Sequence, residues 1–328
     1  MSVIDVPDVQ ARVPATQVSL SRVGVTGVEK IVRIKANGEE HLYHATLECY
    51  VDLNPQQMGV HMSRFEEIVN EAIEHVVIGE AFMAETLAAH IAERVRQRQG
   101  GLRAEVTIRA RYPEYKLTPV TGIRTQELYT LIGTAVSSEL GMRRLVGVQA
   151  QGMTACPCAQ ELVAEGARER LVQQGFTDDE VERVLEAVPV ATHNQRGIGT
   201  LYVGCPEDCD AELRAEMLLA LVEESMSSEI FELMKRPDER AVVEKAHRRP
   251  RFVEDCVREM IRGVVQSLPE LDDEAFVLAR QENLETIHQH NVVAERYGLV
   301  RELRTELDSD THSRRHLSMR EWLESPCA

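Results

Sequence analysis

The sequence is short of positive charge, of long apolar runs and of cysteine. Its 37 lysines and arginines stand against 54 aspartates and glutamates, a formal charge of −17. That balance disfavours a surface built to grip nucleic-acid phosphates or anionic lipid, except where cations cluster locally, and it favours solubility. No apolar run approaches the roughly 20 residues needed to cross a bilayer, and residues 1–10 have neither the basic head nor the apolar core of a secretory signal. The expectation is a soluble cytoplasmic protein with neither nucleic acid nor membrane among its partners. Seven cysteines in 328 residues are too few and too unevenly spaced for a disulfide framework. Low-complexity tracts and strict short repeats are missing too, which confines expected disorder to the two ends. What is present is a chain 43% hydrophobic, long enough for two ordinary domains or one large one. Its clustered cysteine pairs suit metal binding or reactive-thiol chemistry.

Pattern points to an α+β fold. Residues 28–35 and 41–52 are β-rich and separated by ANGEE, whose Asn37-Gly38 is a hairpin signal. Ser63 and Glu66 have capping-box spacing, and helical periodicity runs on towards Val77. A second amphipathic helix is predicted over 81–99, ended by Gly100-Gly101, before LRAEVTIRARY alternates like a strand. After about Ala150 a similar order recurs with insertions. Helices are predicted over 159–174, over 178–187 behind a Thr177/Glu180 capping box, over 211–234 and over 252–267; strands are predicted over 197–205 and 275–283. Strand pairs followed by helix pairs, without regular βαβ alternation, favour antiparallel sheets with helices on one face, in a doubled unit divided into 1–150 and 151–328.

The most concentrated chemical signal is Cys156-Pro157-Cys158, followed at a distance by Thr192-His193-Asn194-Gln195-Arg196. Thiolate and imidazole together suit zinc or ferrous iron. In an extended segment Cys156 and Cys158 would face one side, whereas a tight turn would aim only one at a metal, leaving the other as a supporting thiol. Lys235-Arg236-Pro237-Asp238-Glu239 reads as a helix end, with Pro237 restricting the boundary. Glu285 and His288 would share a face if helical, able to exchange protons with a substrate or simply paired on the surface; His290 is either a further polar contact or an ordinary surface histidine. A competing arrangement joins Cys205 and Cys209 to Cys156 and Cys158 in a four-thiolate structural zinc site, which would leave no position for a reacting water. Cys49 and Cys256 read as core residues and Cys327 as part of a loose tail.

Taken together, VPDVQ, SLSRVGVTGV, GVHMSRFEE, the CPC segment, THNQR, MKRPDE, RFVEDCVR and ETIHQHN resemble, in that order, the motifs of type IB GTP cyclohydrolases. The long insertion between Cys158 and His193 is similar to the archaeal branch, which makes dihydroneopterin cyclic phosphate. The resemblance implies a tunnelling fold of two tandem ββααββ units, assembled as a dimer or tetramer with active sites at interfaces, and GTP as substrate. It implies Cys156, His193 and Glu239 as metal ligands, with Glu244 the alternative carboxylate, and Fe(2+) as the ion, Zn(2+) or Mn(2+) being tolerated by the same donors. It further implies that Glu254, as a buried carboxylate, anchors the guanine edge and that Glu285, His288 and Cys158 serve the chemistry. His61 and Arg64 would contact substrate, and Arg196, Lys235 and Arg236 the triphosphate. Three other readings stay open: a zinc-stabilised, non-catalytic assembly protein of the same fold, the bacterial-type reaction ending at dihydroneopterin triphosphate, and another pterin or purine enzyme.

Overall fold

The computed structural model describes residues 8–36, 39–75, 83–206, 213–309, 311 and 313–326. Its backbone is one antiparallel sheet with helices packed mainly on one face. Strands β1 (Leu20–Ala36) and β2 (Glu39–Leu53) pair from Leu20↔Leu53 to Ala36↔Glu39. The Asn37-Gly38 signal between them lies outside the described residues. Helix α1 (Met62–His75) starts two residues earlier than the Ser63 capping box requires, so Ser63 falls inside the first turn. The reason is a tertiary contact: the Gln99 side chain, from the end of the next helix, holds both the amide and the carbonyl of His61, at 3.3 and 2.9 Å, and the Arg64 amide donates to that carbonyl. Helix α2 (Ala84–Gln99) stops where Gly100 turns left-handed at φ 70°, as the glycine pair predicts; residues 81–82 of the expected helix lie outside the described set.

Three long strands follow, β3 (Arg103–Leu117), β4 (Arg124–Ser138) and β5 (Gly141–Ala155). Pattern reading missed β4 and β5. From Leu131 to Ser137 almost every β4 side chain is buried, because α2 covers one face and a C-terminal helix the other; alternation, the strand signature, is lost when both faces are covered. Helices α3 (Pro157–Gln173) and α4 (Asp178–Ala187) then form the insertion, with the Thr177/Glu180 box made in both directions. Strand β6 (Asn194–Cys205) returns antiparallel to β5. The long helix expected over 211–234 is instead α5 (Ala215–Ser225), broken where β7 (Ser228–Glu229) pairs with Gly152 and Met153 of β5.

Helix α6 (Arg236–Arg248) corrects another expectation: Lys235 to Glu239 open a helix rather than close one. Pro237 sits in the first turn, where its missing N–H costs nothing. Then come α7 (Val253–Ser267), β8 (Phe276–Leu284), β9 (Val292–Leu299), α8 (Val300–Asp308) and α9 (Met319–Glu324). The strand order is β1-β2-β3-β4-β5-β6-β8-β9. Position 150 falls within β5, whose ladders to β4 and β6 carry the sheet continuously from one half of the chain to the other.

Side-chain parity decides what each face buries. Val146, Val148, Leu201, Val203, Val277 and Ala279 join the main core under α2, α5 and α7. Leu145, Tyr202, Phe276 and Leu278 point the other way, towards α9 and Trp322. Close approach on the helical face depends on Gly133 of β4: a Cβ there would lie 2.2 Å from the Ala84 carbonyl carbon and 2.3 Å from the Glu85 amide nitrogen, both backbone atoms of α2. Gly133→Ala is therefore expected to cost about 1–3 kcal/mol by overpacking, read as a lower midpoint in equilibrium denaturation. An unchanged midpoint would show that α2 can lift off the strand freely.

Candidate active site

A cleft of about 440 Å³ opens where β5, β6 and β8 end beside the start of α7. Its construction begins with the β5–β6 ladder, which runs to Ala155↔Asn194. The next residue on one strand is Cys156 and the preceding residue on the other is His193. The Cys156 amide donates to the His193 carbonyl at 3.1 Å, and the Thr192 hydroxyl donates to the Cys156 carbonyl at 2.7 Å. Two chemically distinctive side chains, separated in sequence by the whole α3–α4 insertion, are thus fixed side by side through backbone.

Cys156 is also the N-cap of α3, its sulfur accepting from the Ala159 amide at 3.5 Å, with Pro157 opening the helix. The turn this imposes answers the question left by the Cys-Pro-Cys spacing: Cys156 lines the cleft, while Cys158 rides on the helix, exposed and outside the lining. His193 Nδ1 lies 3.0 Å from Oε1 of buried Gln195 and 3.8 Å from Oε2 of Glu285. Because an amide oxygen only accepts, the Gln195 contact places the ring proton on Nδ1 and leaves the Nε2 lone pair available. Gln195 carried no role in the sequence reading, though its signal was there: two residues past His193 on an extended segment, it faces the same side.

Glu285 and His288 sit in the bent loop between β8 and β9, not on a helix. The Glu285 side chain is only 7% exposed, and the exposed His288 ring stacks on His290 with centroids 5.1 Å apart. Glu254 lines the same cleft from the first turn of α7, where a helix N-terminus favours negative charge. It is exposed in this chain, not buried as expected, because that turn faces the cleft mouth. Arg251 lines the cleft too, yet its role is structural: its amide donates to Ala155 O at 2.9 Å and its guanidinium holds Ser225 O and Glu259, tying α7 to the end of β5.

The other sequence candidates stand elsewhere. His61 lies at the start of α1 beside Asp8, its Nε2 3.4 Å from that carboxylate, and Arg64 donates to the Arg98 carbonyl. Arg196 follows Gln195 on the opposite face of β6 and donates to Gln151. Lys235, Arg236 and Glu239 are exposed at the start of α6, and Glu244 pairs with Arg240 one turn along. Cys205 lies at the far end of β6 from the Cys156 pairing, ~36 Å away at about 3.3 Å per residue, so the four-thiolate zinc site does not form; Cys209 and Cys327 lie outside the described residues. Cys49 and Cys256 are core residues as expected; burial pushes both thiols up to about 12.

Cys156 and the free nitrogen of His193 are donors of the right softness for a divalent transition ion. Among the described residues no group of three or more His, Cys, Asp or Glu side chains converges to enclose one, so Glu239 does not complete the set within this chain. What fixes Glu239 is its neighbour. Asp238 is fully buried and accepts from the amides of Val120, Thr121 and Lys235 at 2.9, 2.9 and 3.0 Å and from the Thr121 hydroxyl at 2.6 Å. Burial pushes its carboxyl up, but these donors together outweigh that and hold it well below the usual aspartate range. Helix α6 is thereby pinned to the β3–β4 loop.

With these elements in place, the comparisons fall into line. The family model for type I GTP cyclohydrolase folE2 matches residues 6–294. The GTP cyclohydrolase MptA of Methanothermobacter thermautotrophicus is 42% identical over 315 residues, covering 94% of this chain and 98% of that protein. The GTP cyclohydrolase MptA of Methanococcus vannielii is 40% identical over 309 residues, covering 92% and 98%. The chain belongs to the type I GTP cyclohydrolase folE2 family, in the archaeal branch that the motifs resemble. Its fold is also that of two solved uricases, from Arthrobacter globiformis (TM-score 0.51, 8% identity, 86% of this chain and 95% of that one) and Bacillus fastidious (TM-score 0.50, 9% identity, 89% and 98%).

Two outcomes are expected from this geometry. Gln195→Leu frees the His193 ring and lowers kcat about 10- to 100-fold, as loss of an orienting partner does, with the thermal midpoint nearly unchanged; full activity would show that the ring needs no such partner. Asp238→Asn lowers the thermal midpoint near neutral pH. Because the folded carboxyl titrates below its ordinary value of 3.8, its contribution is fully present above that value and is lost as pH falls through the folded pKa. The gap between variant and parent should therefore narrow below about pH 4 in scans across pH.

Proposed function

We propose that this chain converts GTP to a 7,8-dihydroneopterin phosphate with release of formate, the first step of a pterin biosynthesis leading to methanopterin or folate, and we assign the 2′,3′-cyclic phosphate as product. Family membership and the identity to archaeal MptA proteins over more than nine-tenths of the chain support the reaction class. The single observation carrying the reading is the closure of Cys156 against His193 with Glu285 behind the imidazole.

Cys156 and His193 would hold a divalent ion, which we take to be ferrous. When bound, that ion would lower the pKa of a water towards neutrality and so supply a nucleophile for C8 of guanine, otherwise a poor electrophile. Glu254 accepts hydrogen bonds from the N–H groups of the guanine edge; adenine lacks those donors and would leave the carboxylate unpaired. Glu285, shielded and beside the imidazole, takes the proton as water adds, and His288 at the cleft mouth returns one to the departing ring nitrogen. Ring opening leaves C8 as a formamide, which a second water hydrolyses to free formate. Rearrangement of the ribose then closes the dihydropterin with loss of water, and attack of a ribose hydroxyl on the α-phosphate closes the cyclic phosphate with diphosphate leaving.

We further propose that the chain works as a homo-oligomer of tunnelling-fold subunits, a tetramer in its simplest form. The element order β1-β2-α1-α2-β3-β4, followed by β5 to β9 with the α3–α4 insertion, suits two tandem ββααββ units. In such an assembly a neighbouring copy presents Glu239 as the third ligand, with Lys235 and Arg236 beside it to neutralise phosphate. This accounts for a pinned but exposed α6 start that its own chain leaves outside the cleft.

The decisive experiment is anaerobic incubation of the purified chain with GTP and ferrous iron, measuring formate and identifying the pterin by mass. A cyclic phosphate supports the assignment, an intact triphosphate replaces it with the bacterial-type product, and no formate removes the reading. Cys156→Ala and His193→Ala should abolish turnover with the fold retained, and Glu285→Gln should lower kcat by about 10²- to 10⁴-fold.

A further inference from the structure

We propose that a second cleft, beneath α9 on the face of the sheet away from the main core, binds a small molecule through a compact oxyanion, a carboxylate or phosphate group. This cleft is independent of the proposed GTP site. The two lie at opposite ends of β8, ~27 Å apart along the strand at about 3.3 Å per residue, and much of its wall comes from residues beyond 294, where the family match stops.

Its floor is Arg143 of β5. The residue is 6% exposed, and its guanidinium carbon lies 4.7 Å above the Trp322 ring. One terminal nitrogen donates to the Pro326 carbonyl, while Nε and Nη1 are buried without an acceptor among the described residues. A guanidinium stays charged at any physiological pH, and a buried charge is ordinarily paired. Other acids of the cleft and its rim are engaged elsewhere: Glu274 pairs with Arg301, Glu321 pairs with Arg315, and Asp272 accepts from the Glu274 amide. Glu302, lining the same cleft, turns its Oε2 away from Arg143, to 2.6 Å from where a Cβ of Gly298 would stand, on the face of β9 opposite Leu299. The cleft thus presents two guanidinium donors that lack an acceptor among the described residues, which selects an oxyanion. Its volume of about 560 Å³ exceeds an inorganic ion and suits an organic one.

The test uses a reporter the chain supplies itself, since Trp322 is its only tryptophan. The full chain is titrated with inorganic phosphate and, separately, with acetate, at ionic strength held constant with chloride. Trp322 emission and the thermal midpoint are followed. A saturable emission change and a raised midpoint with either probe, absent with chloride, support the site; a response to phosphate alone or acetate alone identifies the headgroup. Arg143→Met should remove both responses, whereas Cys156→Ala should leave them intact. Should Arg143→Met fail to fold, Arg143→Lys keeps the charge without the planar fork and should weaken binding several-fold. A parent protein that responds to neither probe beyond chloride, or a folded Arg143 variant with an unchanged midpoint of titration, overturns the proposal.

Discussion

One ladder brings the most chemically distinctive side chains of this molecule together. The pairing of β5 with β6 runs from Arg144↔Cys205 to Ala155↔Asn194, and its last rung is extended by the hydrogen bond between Cys156 and His193. A cysteine at a helix N-cap or a histidine at a strand start is unremarkable alone. Held by backbone at the open end of a buried ladder, they become a thiol and an imidazole of fixed separation and aspect, which loops alone would not guarantee. The same rung sets the insertion: α3 begins at the capping cysteine and α4 leads back to the histidine, so the hairpin projects from the sheet without disturbing the site it interrupts.

The surrounding elements serve that rung. Arg251 ties the start of α7 to Ala155, bringing Glu254 to the cleft, and β8, paired with β6, delivers the loop bearing Glu285 and His288. Asp238 performs a comparable service for α6 by gathering three amides and a hydroxyl around one carboxylate. Such fully satisfied buried carboxylates fix geometry because moving them would strand several donors at once. The two faces of the sheet are then free for different purposes. One buries the apolar residues of α2, α5 and α7; the other is closed at one end by α9 over Trp322 and Arg143.

Two groups of the motif residues stand apart in the structure. Cys156, His193, Glu254, Glu285 and His288 share one cleft, while Lys235, Arg236 and Glu239 gather at the start of α6. That division is the observation from which the proposed assembly of identical chains is argued.

Much was determined by local sequence. Gly100 ended α2, Thr177 and Glu180 opened α4, and the alternation after Leu102 placed β3, because turns, caps and half-buried strands obey rules spanning only a few residues. The eight ordered motifs were enough to indicate the family. Tertiary structure alone decided the rest. Residues 131–137 of β4 and 145–148 of β5 were unreadable because burial on both faces erases period-two patterning there, and the early start of α1 depended on Gln99 reaching across from another helix. Likewise, which thiol of Cys156 and Cys158 faces the cleft, the proximity of Gln195 to the His193 ring, and the burial of the Arg143 guanidinium against Trp322 rest on contacts between distant segments, and no pattern within a short window of sequence encodes those.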